Sequence, residues 1–191
     1  MAYNLRFYLE SVWVVVGLFW VLTAFRLKPV ARRQGTGRRL IHVSILVLAA
    51  GLLFSEWPPA DILRIQVLPD SASLRGAGLA LAVAGALLAI AARAYLGRNW
   101  SGRPSIREDQ QLVSHGPYAW VRHPIYTGLL LAAAGTALAL GQTRQLLALP
   151  LALVGFWLKL REEERMLMQA FGNEYLAYRQ SVKSGIIPFL L

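Results

Sequence analysis

The apolar residues of this chain form long blocks that short charged segments separate. The first block covers about residues 7–25 and contains a single charged residue, Glu10. A helix of this length rises about 1.5 Å per residue and so crosses a hydrocarbon layer of roughly 30 Å. We therefore predict a membrane-spanning helix. The first ten residues lack the basic region and cleavage pattern of a signal peptide, so we expect this span to be retained.

Four further blocks continue the pattern and predict four more spans. They cover residues 40–54, 76–96, 124–140 and about 145–160, with a tight turn at 141–144. The block at 76–96 is rich in Ala and Gly, which permit helices to approach closely. After the last block, the apolar residues that follow Arg161 recur at helical spacing and predict an amphipathic C-terminal helix that extends the fifth span.

Composition supports a membrane location. The chain has 191 residues, of which 56% are hydrophobic, and a mean hydropathy of +0.45, more apolar than a soluble domain of this size. Its net charge is +10, but the basic residues interrupt apolar blocks and form no stripe with interleaved aromatics. We therefore expect membrane lipids as partners and no nucleic acid.

The distribution of charge predicts the orientation. The segment between the first two blocks carries six basic residues and no acid, which is typical of the cytoplasmic side. They are Arg26, Lys28, Arg32, Arg33, Arg38 and Arg39. The next connection has both signs and is expected outside, whereas the third connection and the tail are expected inside. The predicted fold is thus all-α: about five transmembrane helices, an outside N-terminus and a cytoplasmic C-terminal helix.

The chemistry available to the chain is restricted. It has no cysteine, which excludes disulfides, thiolate metal ligands and a cysteine nucleophile. Only three histidines are present, His42, His115 and His123. We therefore expect no metal centre.

One tract concentrates Gly, Pro, His, Arg and aromatic residues directly before a span. Residues 112–128 read LVSHGPYAWVRHPIYTG. Pro124 suits the first turn of a helix, and the free amides beside it can receive an anionic group. Gly116 and Pro117 predict a sharp bend. The aromatic residues Tyr118, Trp120 and Tyr126 suit either of two roles, as interfacial anchors or as a surface facing a cation.

A run of three acids, Glu162, Glu163 and Glu164, follows the last apolar block. Such a run is often a solvated helix face. At a cytoplasmic membrane boundary it also suits a role in pairing with arginines, and the nearest candidates are Arg122, Arg161 and Arg165.

Together these two motifs resemble a known family. The sequence GPYAWVRHPIYTG, followed after a helical hairpin by EE-R-x-L-x-x-x-FG-x-x-Y-x-x-Y, is similar to the isoprenylcysteine carboxyl methyltransferases. The resemblance covers residues 107–188. It implies a membrane enzyme that binds S-adenosylmethionine on the cytosolic side and methylates a lipophilic acceptor, most typically the carboxylate of an isoprenylcysteine or similar isoprenoid. From the apolar blocks we expect one membrane domain over 1–191, with a first helical hairpin at 1–60 and a catalytic core at 76–191.

The resemblance also assigns residues. The implied cofactor contacts are Gln110, Gln111, Leu112, Val113, His115, Gly116, Tyr118, His123, Pro124, Ile125, Tyr126, Glu163 and Glu164. The implied catalytic group consists of Glu163, Arg161 and Lys159. Lys159 occupies the position of the family's acceptor-binding arginine, and Gln110 stands where a histidine is common. Arg161 lies close enough in sequence to substitute for that arginine.

Methyl transfer from a sulfonium is an in-line displacement, so the protein mainly has to align donor and nucleophile and exclude water. On this reading Leu112 and Val113 present backbone groups to the adenine, and Tyr118 and Tyr126 line the cavity. His123 and the helix start at Pro124 receive the methionine carboxylate, and Glu163 binds the cationic part of the donor.

Two other hypotheses remain open at this point. Sterol-type membrane reductases carry a related Arg-His-Pro-x-Tyr segment and bind a nicotinamide cofactor there, although they generally have more spans. The chain could also be a non-catalytic membrane module. Stabilisation by S-adenosylmethionine compared with NADPH discriminates among the three.

Overall fold

The computed structural model describes residues 2–24, 30–33, 36–56, 59–97, 105–107 and 111–187. Helices dominate these ranges. They are α1 (Ala2–Ala24), α2 (Thr36–Phe54), α3 (Asp61–Arg64), α4 (Ala72–Leu96), α5 (Pro124–Leu140), α6 (Thr143–Phe171) and α7 (Asn173–Ser181). Two short strands, β1 (Val30–Arg33) and β2 (Ser105–Arg107), complete the regular structure.

The helices confirm a multi-pass membrane protein. Within the described residues, three helices are long and apolar enough to cross a bilayer: Asn4–Ala24 of α1, Ala72–Leu96 and Thr143–Phe171. The apolar parts of α2 and α5, Arg39–Phe54 and Pro124–Leu140, are shorter. Each predicted apolar block lies within a helix, apart from the last residue of the first block, which is outside the described residues.

The strands were not predicted. β1 and β2 pair antiparallel, with Val30 opposite Arg107 and Arg33 opposite Ser105. They join the segment after α1 to the segment after α4, two segments that charge assigns to the same membrane face. Strands of three and four residues are too short to produce a readable alternation of polar and apolar positions.

Glycine faces hold α4 and α5 together. A Cβ on Gly85 would lie 2.3 Å from the amide nitrogen of Ala132, and one on Gly128 would lie 2.5 Å from that of Ala89. The two backbones therefore touch, as the small residues of the third block predict. This contact lies one turn beyond the start of α5 and fixes that start against α4.

The chain turns tightly between α5 and α6. Gly141 has a φ of 67°, and its amide donates to the carbonyl oxygen of Ala137 at 2.8 Å. This left-handed conformation favours glycine and ends the helix. Because α6 already begins at Thr143, the turn is shorter than the predicted 141–144.

Through α6 and α7 the C-terminal segment returns to the start of α5. α6 continues unbroken from the apolar block into the acidic run, and Gly172, with a φ of 50°, separates it from α7. After α7, the carbonyl oxygens of Ser184 and Gly185 accept hydrogen bonds from the amides of Arg122 and His123, both at 2.9 Å. The tail therefore lies against the residues that lead into α5.

Replacing Gly85 with alanine tests the α4–α5 contact. The added methyl group would meet backbone atoms, and overpacking of this kind costs about 1–3 kcal/mol. We expect a lower midpoint of thermal unfolding in detergent. Gly76→Ala is the matched control, because no atom lies within 4 Å of its Cβ position and the helix gains propensity. Equal midpoints for the two variants would contradict the close contact.

Candidate active site

The approach to α5 is a bend that glycine makes possible. Gly116 has a φ of 61° and begins a short 3-10 turn, Gly116–Ala119. A Cβ at this position would meet only the end of the exposed Tyr95 side chain, so it is the left-handed conformation that favours glycine here. The predicted Gly-Pro bend is therefore present. It leads the chain to His123, which directly precedes Pro124 at the first turn of α5.

Glu163 faces the first turn of α5. The hydroxyl of Tyr126 donates to its Oε2 at 2.6 Å, and Nδ1 of His123 lies 3.5 Å from the same oxygen. The Glu163 side chain is only 19% exposed. The Tyr126 hydroxyl and the His123 imidazole therefore hold the carboxylate of Glu163 close to the start of α5.

Lys159 and three stacked rings surround this carboxylate. The rings of His123 and Tyr126 stack with centroids 5.5 Å apart, and those of Tyr126 and Phe156 with centroids 5.0 Å apart. The ammonium group of Lys159 lies 5.1 Å from the centre of the Tyr126 ring and 3.9 Å from Oε1 of Glu163. The cluster combines a carboxylate, a cation and aromatic faces.

Glu164 has different partners. Nε of Arg122 donates to its Oε1 at 2.6 Å, and the two side chains are 8% and 11% exposed. Nη1 of Arg122 also donates to the carbonyl oxygens of Val182 at 2.7 Å and Lys183 at 2.6 Å. This buried pair therefore joins α6, the approach to α5 and the C-terminal segment.

The acidic run meets arginines, as one of the two readings predicted. Arg122 pairs with Glu164, and Arg165 pairs with Glu162 at 2.7 Å on the more exposed side. The solvated-face reading does not apply to Glu164, which is buried.

The two glutamates shift the protonation of His123. Burial disfavours the charged imidazole, but Glu163 and Glu164 together outweigh it, and the pKa of His123 is raised above its ordinary value. Its Nε2 is buried, lies 3.5 Å from Oε1 of Glu164 and forms no hydrogen bond within the described residues. This nitrogen therefore faces the carboxylate of Glu164.

Three other predicted contacts, Val113, Tyr118 and Ile125, pack around Tyr126. Val113 packs with the buried side chains of Tyr118, Ile125 and Tyr126. Leu112 packs against the neighbouring cluster of Tyr175, Tyr178 and Val182. The Tyr118 hydroxyl donates to the carbonyl oxygen of Ala92 at 3.3 Å, which connects these residues to α4.

Some predicted residues lie away from Glu163. His115 is exposed, with its ring 5.2 Å from that of Tyr95. Arg161 lies over the ring of Trp157 at 4.7 Å, on another face of α6 from Lys159. Gln111 is exposed, and Gln110 lies outside the described residues.

Sequence reasoning missed the role of the C-terminal segment. The backbone of this segment accepts hydrogen bonds from Arg122 and His123. The carbonyl oxygen of the buried Ile186 also accepts a hydrogen bond from the Thr127 hydroxyl. The signal available in the sequence was the apolar pair Ile186 and Ile187 after a polar helix. In the described part of the chain, no group of three or more acidic, histidine or cysteine side chains is arranged to hold a metal.

Comparison with known proteins identifies the class. Residues 74–174, just over half of the chain, match the phospholipid methyltransferase family. The chain therefore belongs to this family. Of the three hypotheses that the sequence left open, methyltransferase, reductase and non-catalytic module, this match supports the methyltransferase. It is a membrane-embedded enzyme of a methyl-transferring class.

The similar proteins narrow that class. The chain is 38% identical to a probable protein-S-isoprenylcysteine O-methyltransferase of Oryza sativa subsp. indica, over 83% of this chain and 84% of that protein. It is 34% identical to the protein-S-isoprenylcysteine O-methyltransferase of Tribolium castaneum, over 61% of this chain but only 42% of that protein. The predicted resemblance to isoprenylcysteine methyltransferases is confirmed.

A solved structure shares the fold. The chain matches the eukaryotic intramembrane Ras methyltransferase ICMT with a TM-score of 0.53 and 28% identity. The match covers 82% of this chain and 54% of that one. The chain thus spans about half the length of the solved protein.

Arg122→Gln tests the buried pair. Removing one partner leaves Glu164 and two carbonyl oxygens without their donor, and breaking such a pair costs about 3–5 kcal/mol. We expect a lower unfolding midpoint and faster hydrogen exchange at residues 182–187. The control is Arg165→Gln, whose side chain is 48% exposed and should change stability by about 0.5 kcal/mol or less. Unchanged exchange in the Arg122 variant would contradict the clamp.

The raised pKa of His123 predicts a pH dependence of stability. Between the ordinary histidine value of about 6.5 and the raised folded value, the folded state binds more protons than the unfolded state. The stabilisation is therefore complete below about pH 6.5 and is lost as pH rises through the folded pKa. We expect the difference in unfolding midpoint between wild type and His123→Gln to decrease as the pH rises from about 6.5 through the folded pKa of His123. His115→Gln, altered at an exposed histidine, should retain the wild-type profile, and a difference for His123→Gln that is independent of pH would refute the assignment.

Proposed function

We propose that this protein transfers the methyl group of S-adenosylmethionine to the carboxylate of an isoprenylcysteine or a similar isoprenoid. The observation that carries the proposal is the partly buried carboxylate of Glu163, which accepts a hydrogen bond from Tyr126 at 2.6 Å beside a stack of aromatic rings. A negative charge and ring faces at the mouth of a membrane helix suit a cationic donor and a lipid-soluble acceptor. The names of the similar proteins support the same reaction.

The residues present fit the donor. S-adenosylmethionine supplies, when bound, an electrophilic methyl group on a sulfonium. Glu163 would bind the cationic part of the donor, and the ring of Tyr126 adds cation–π attraction of about 0.5–2 kcal/mol. The amides at the start of α5, with the imidazole of His123 beside them, would receive the methionine carboxylate.

Further residues would hold the adenosine part. Backbone groups of Leu112 and Val113 suit the adenine, and Tyr118 and Ile125 supply a buried apolar wall. The remaining predicted contacts, Gln110, Gln111, His115, Gly116, Pro124 and Glu164, belong to the same proposal. Glu164 acts on it through Arg122 and His123, since it is the partner of both.

Lys159 is the proposed partner of the acceptor carboxylate. A carboxylate is ionised near neutral pH and needs no general base, so the protein has to align it with the donor and exclude water. Lys159 lies against Tyr126 and Glu163, at the centre of the cluster. Arg161, assigned by sequence to the same catalytic group, faces Trp157 instead, and this geometry favours Lys159.

The orientation in the membrane completes the proposal. We infer five spans, with α2 and α5 added to the three longer helices, an N-terminus outside, and α7 and the active site at the cytoplasmic face. The hairpin at residues 1–60 and the catalytic core at 76–191 form one membrane domain. The positive excess between α1 and α2 supports this orientation.

A methyl-transfer assay with a short prenylated cysteine tests the function. Purified protein and methyl-labelled S-adenosylmethionine should give a base-labile methyl ester of the acceptor. Lys159→Met should raise KM for the acceptor about tenfold or more, since a charged hydrogen bond contributes about 1.5–3 kcal/mol, and leave donor affinity near wild type. The matched control is Lys183→Met, at an exposed lysine. Absence of labelled ester would refute the reaction, and an unchanged KM would refute the role of Lys159.

A further inference from the structure

A cavity lies against the face of α6 that carries Trp157, Arg161 and Arg165. It has a volume of about 610 Å³, and its walls come from α6, α7 and the C-terminal segment. The side chains that define it are Trp157, Leu160, Arg161, Arg165, Arg179 and Ile186. Residues 157, 161 and 165 follow one another at a spacing of four along one face of the helix, whereas Lys159 and Glu163 follow another. Trp157, Arg161 and Arg165 therefore point away from Lys159 and Glu163, while Leu160 and Ile186 line the cavity and also pack in the cluster of Tyr126.

The cavity carries an excess of positive charge. Four arginines and one carboxylate line it. Arg122 is paired with Glu164, and Arg165 with Glu162. Arg161 and Arg179 form no ion pair with any described residue, and Arg161 rests on the ring of Trp157. Two guanidinium groups thus remain to receive an anion, and their planar donor geometry suits phosphate or carboxylate.

The cavity is also apolar on one side. Leu160 and Ile186 are buried, and the side chain of Trp157 is 39% exposed. Met168 lines the same space. A small inorganic anion would leave this apolar surface in contact with water, whereas an amphiphile would cover it.

The position of the cavity along α6 indicates which amphiphile it fits. Arg161 lies about 27 Å along the helix axis from Thr143 at about 1.5 Å per residue, close to the roughly 30 Å thickness of a hydrocarbon layer. Trp157 lies one turn deeper. Arg161 therefore falls at the level of lipid headgroups and Trp157 at the level of the first acyl carbons, where tryptophan is enriched.

We propose that this cavity binds an anionic phospholipid. Arg161 and Arg179 pair with its phosphate, and Trp157 and Leu160 pack against the start of an acyl chain. A zwitterionic lipid binds less well because its cationic headgroup meets the same arginines. Arg161 and Arg179 lie outside the cluster of His123, Tyr126, Lys159 and Glu163 proposed for donor and acceptor, although Glu164 lines the cavity and also contacts His123.

Thermal unfolding in a neutral detergent tests the proposal without donor or acceptor, so its result is independent of the methyl-transfer assay. The protein is titrated with phosphatidylglycerol and, separately, with phosphatidylcholine. We expect a larger rise in midpoint with phosphatidylglycerol. The variants Arg161→Gln and Arg179→Gln should each weaken its apparent affinity about tenfold, and the double variant should lose most of the rise.

The matched control is the double variant Arg64→Gln and Arg75→Gln, which removes the same charge outside the cavity. It should keep the wild-type response. If the double variant at Arg161 and Arg179 does not fold, the two single variants decide. Equal responses to both lipids, or a full response in the variants, would overturn the proposal. So would a full response to inorganic phosphate alone or to an acidic peptide, since either would identify a different ligand.

Discussion

The buried ion pair between Arg122 and Glu164 is the interaction on which the site depends. One guanidinium group bonds to the carboxylate of α6 and to the carbonyl oxygens of Val182 and Lys183. Both side chains are largely removed from water, where an unpaired charge is expensive. The pair therefore fixes three separate parts of the chain relative to one another. His123, the next residue, is held at the start of α5 as a result.

This arrangement leaves the neighbouring Glu163 outside the Arg122 ion pair. Consecutive residues of a helix point in directions about 100° apart, so Glu163 faces Tyr126 and Lys159 while Glu164 faces Arg122. The glycine contact between α4 and α5 supports this from the other side, because it fixes the backbone one turn beyond His123. We infer that one carboxylate serves the fold and the other serves the donor.

Much of this could be predicted from particular residues. Pro124 and Gly141 mark the two ends of α5, since one suits a helix start and the other adopts a left-handed conformation after its end. The resemblance of the two motifs to the family assigns His123, Tyr126 and Glu163 to one site, and the structure brings these three side chains together. Lys159 could also have been preferred to Arg161, because it is four residues from Glu163 and shares its helix face.

Other features leave no pattern in a single sequence. Besides Glu164, Arg122 donates to two backbone carbonyl oxygens, and since every residue carries such an oxygen, no residue type indicates them. The strands β1 and β2 are too short for alternation to appear. The division of roles between adjacent glutamates is nevertheless open to one measurement: affinity for S-adenosylmethionine by calorimetry, beside the unfolding midpoint, for Glu163→Gln and Glu164→Gln. The account predicts that Glu163→Gln loses about tenfold or more in affinity with its midpoint retained, while Glu164→Gln unfolds at a clearly lower temperature. Wild-type affinity in Glu163→Gln would contradict it.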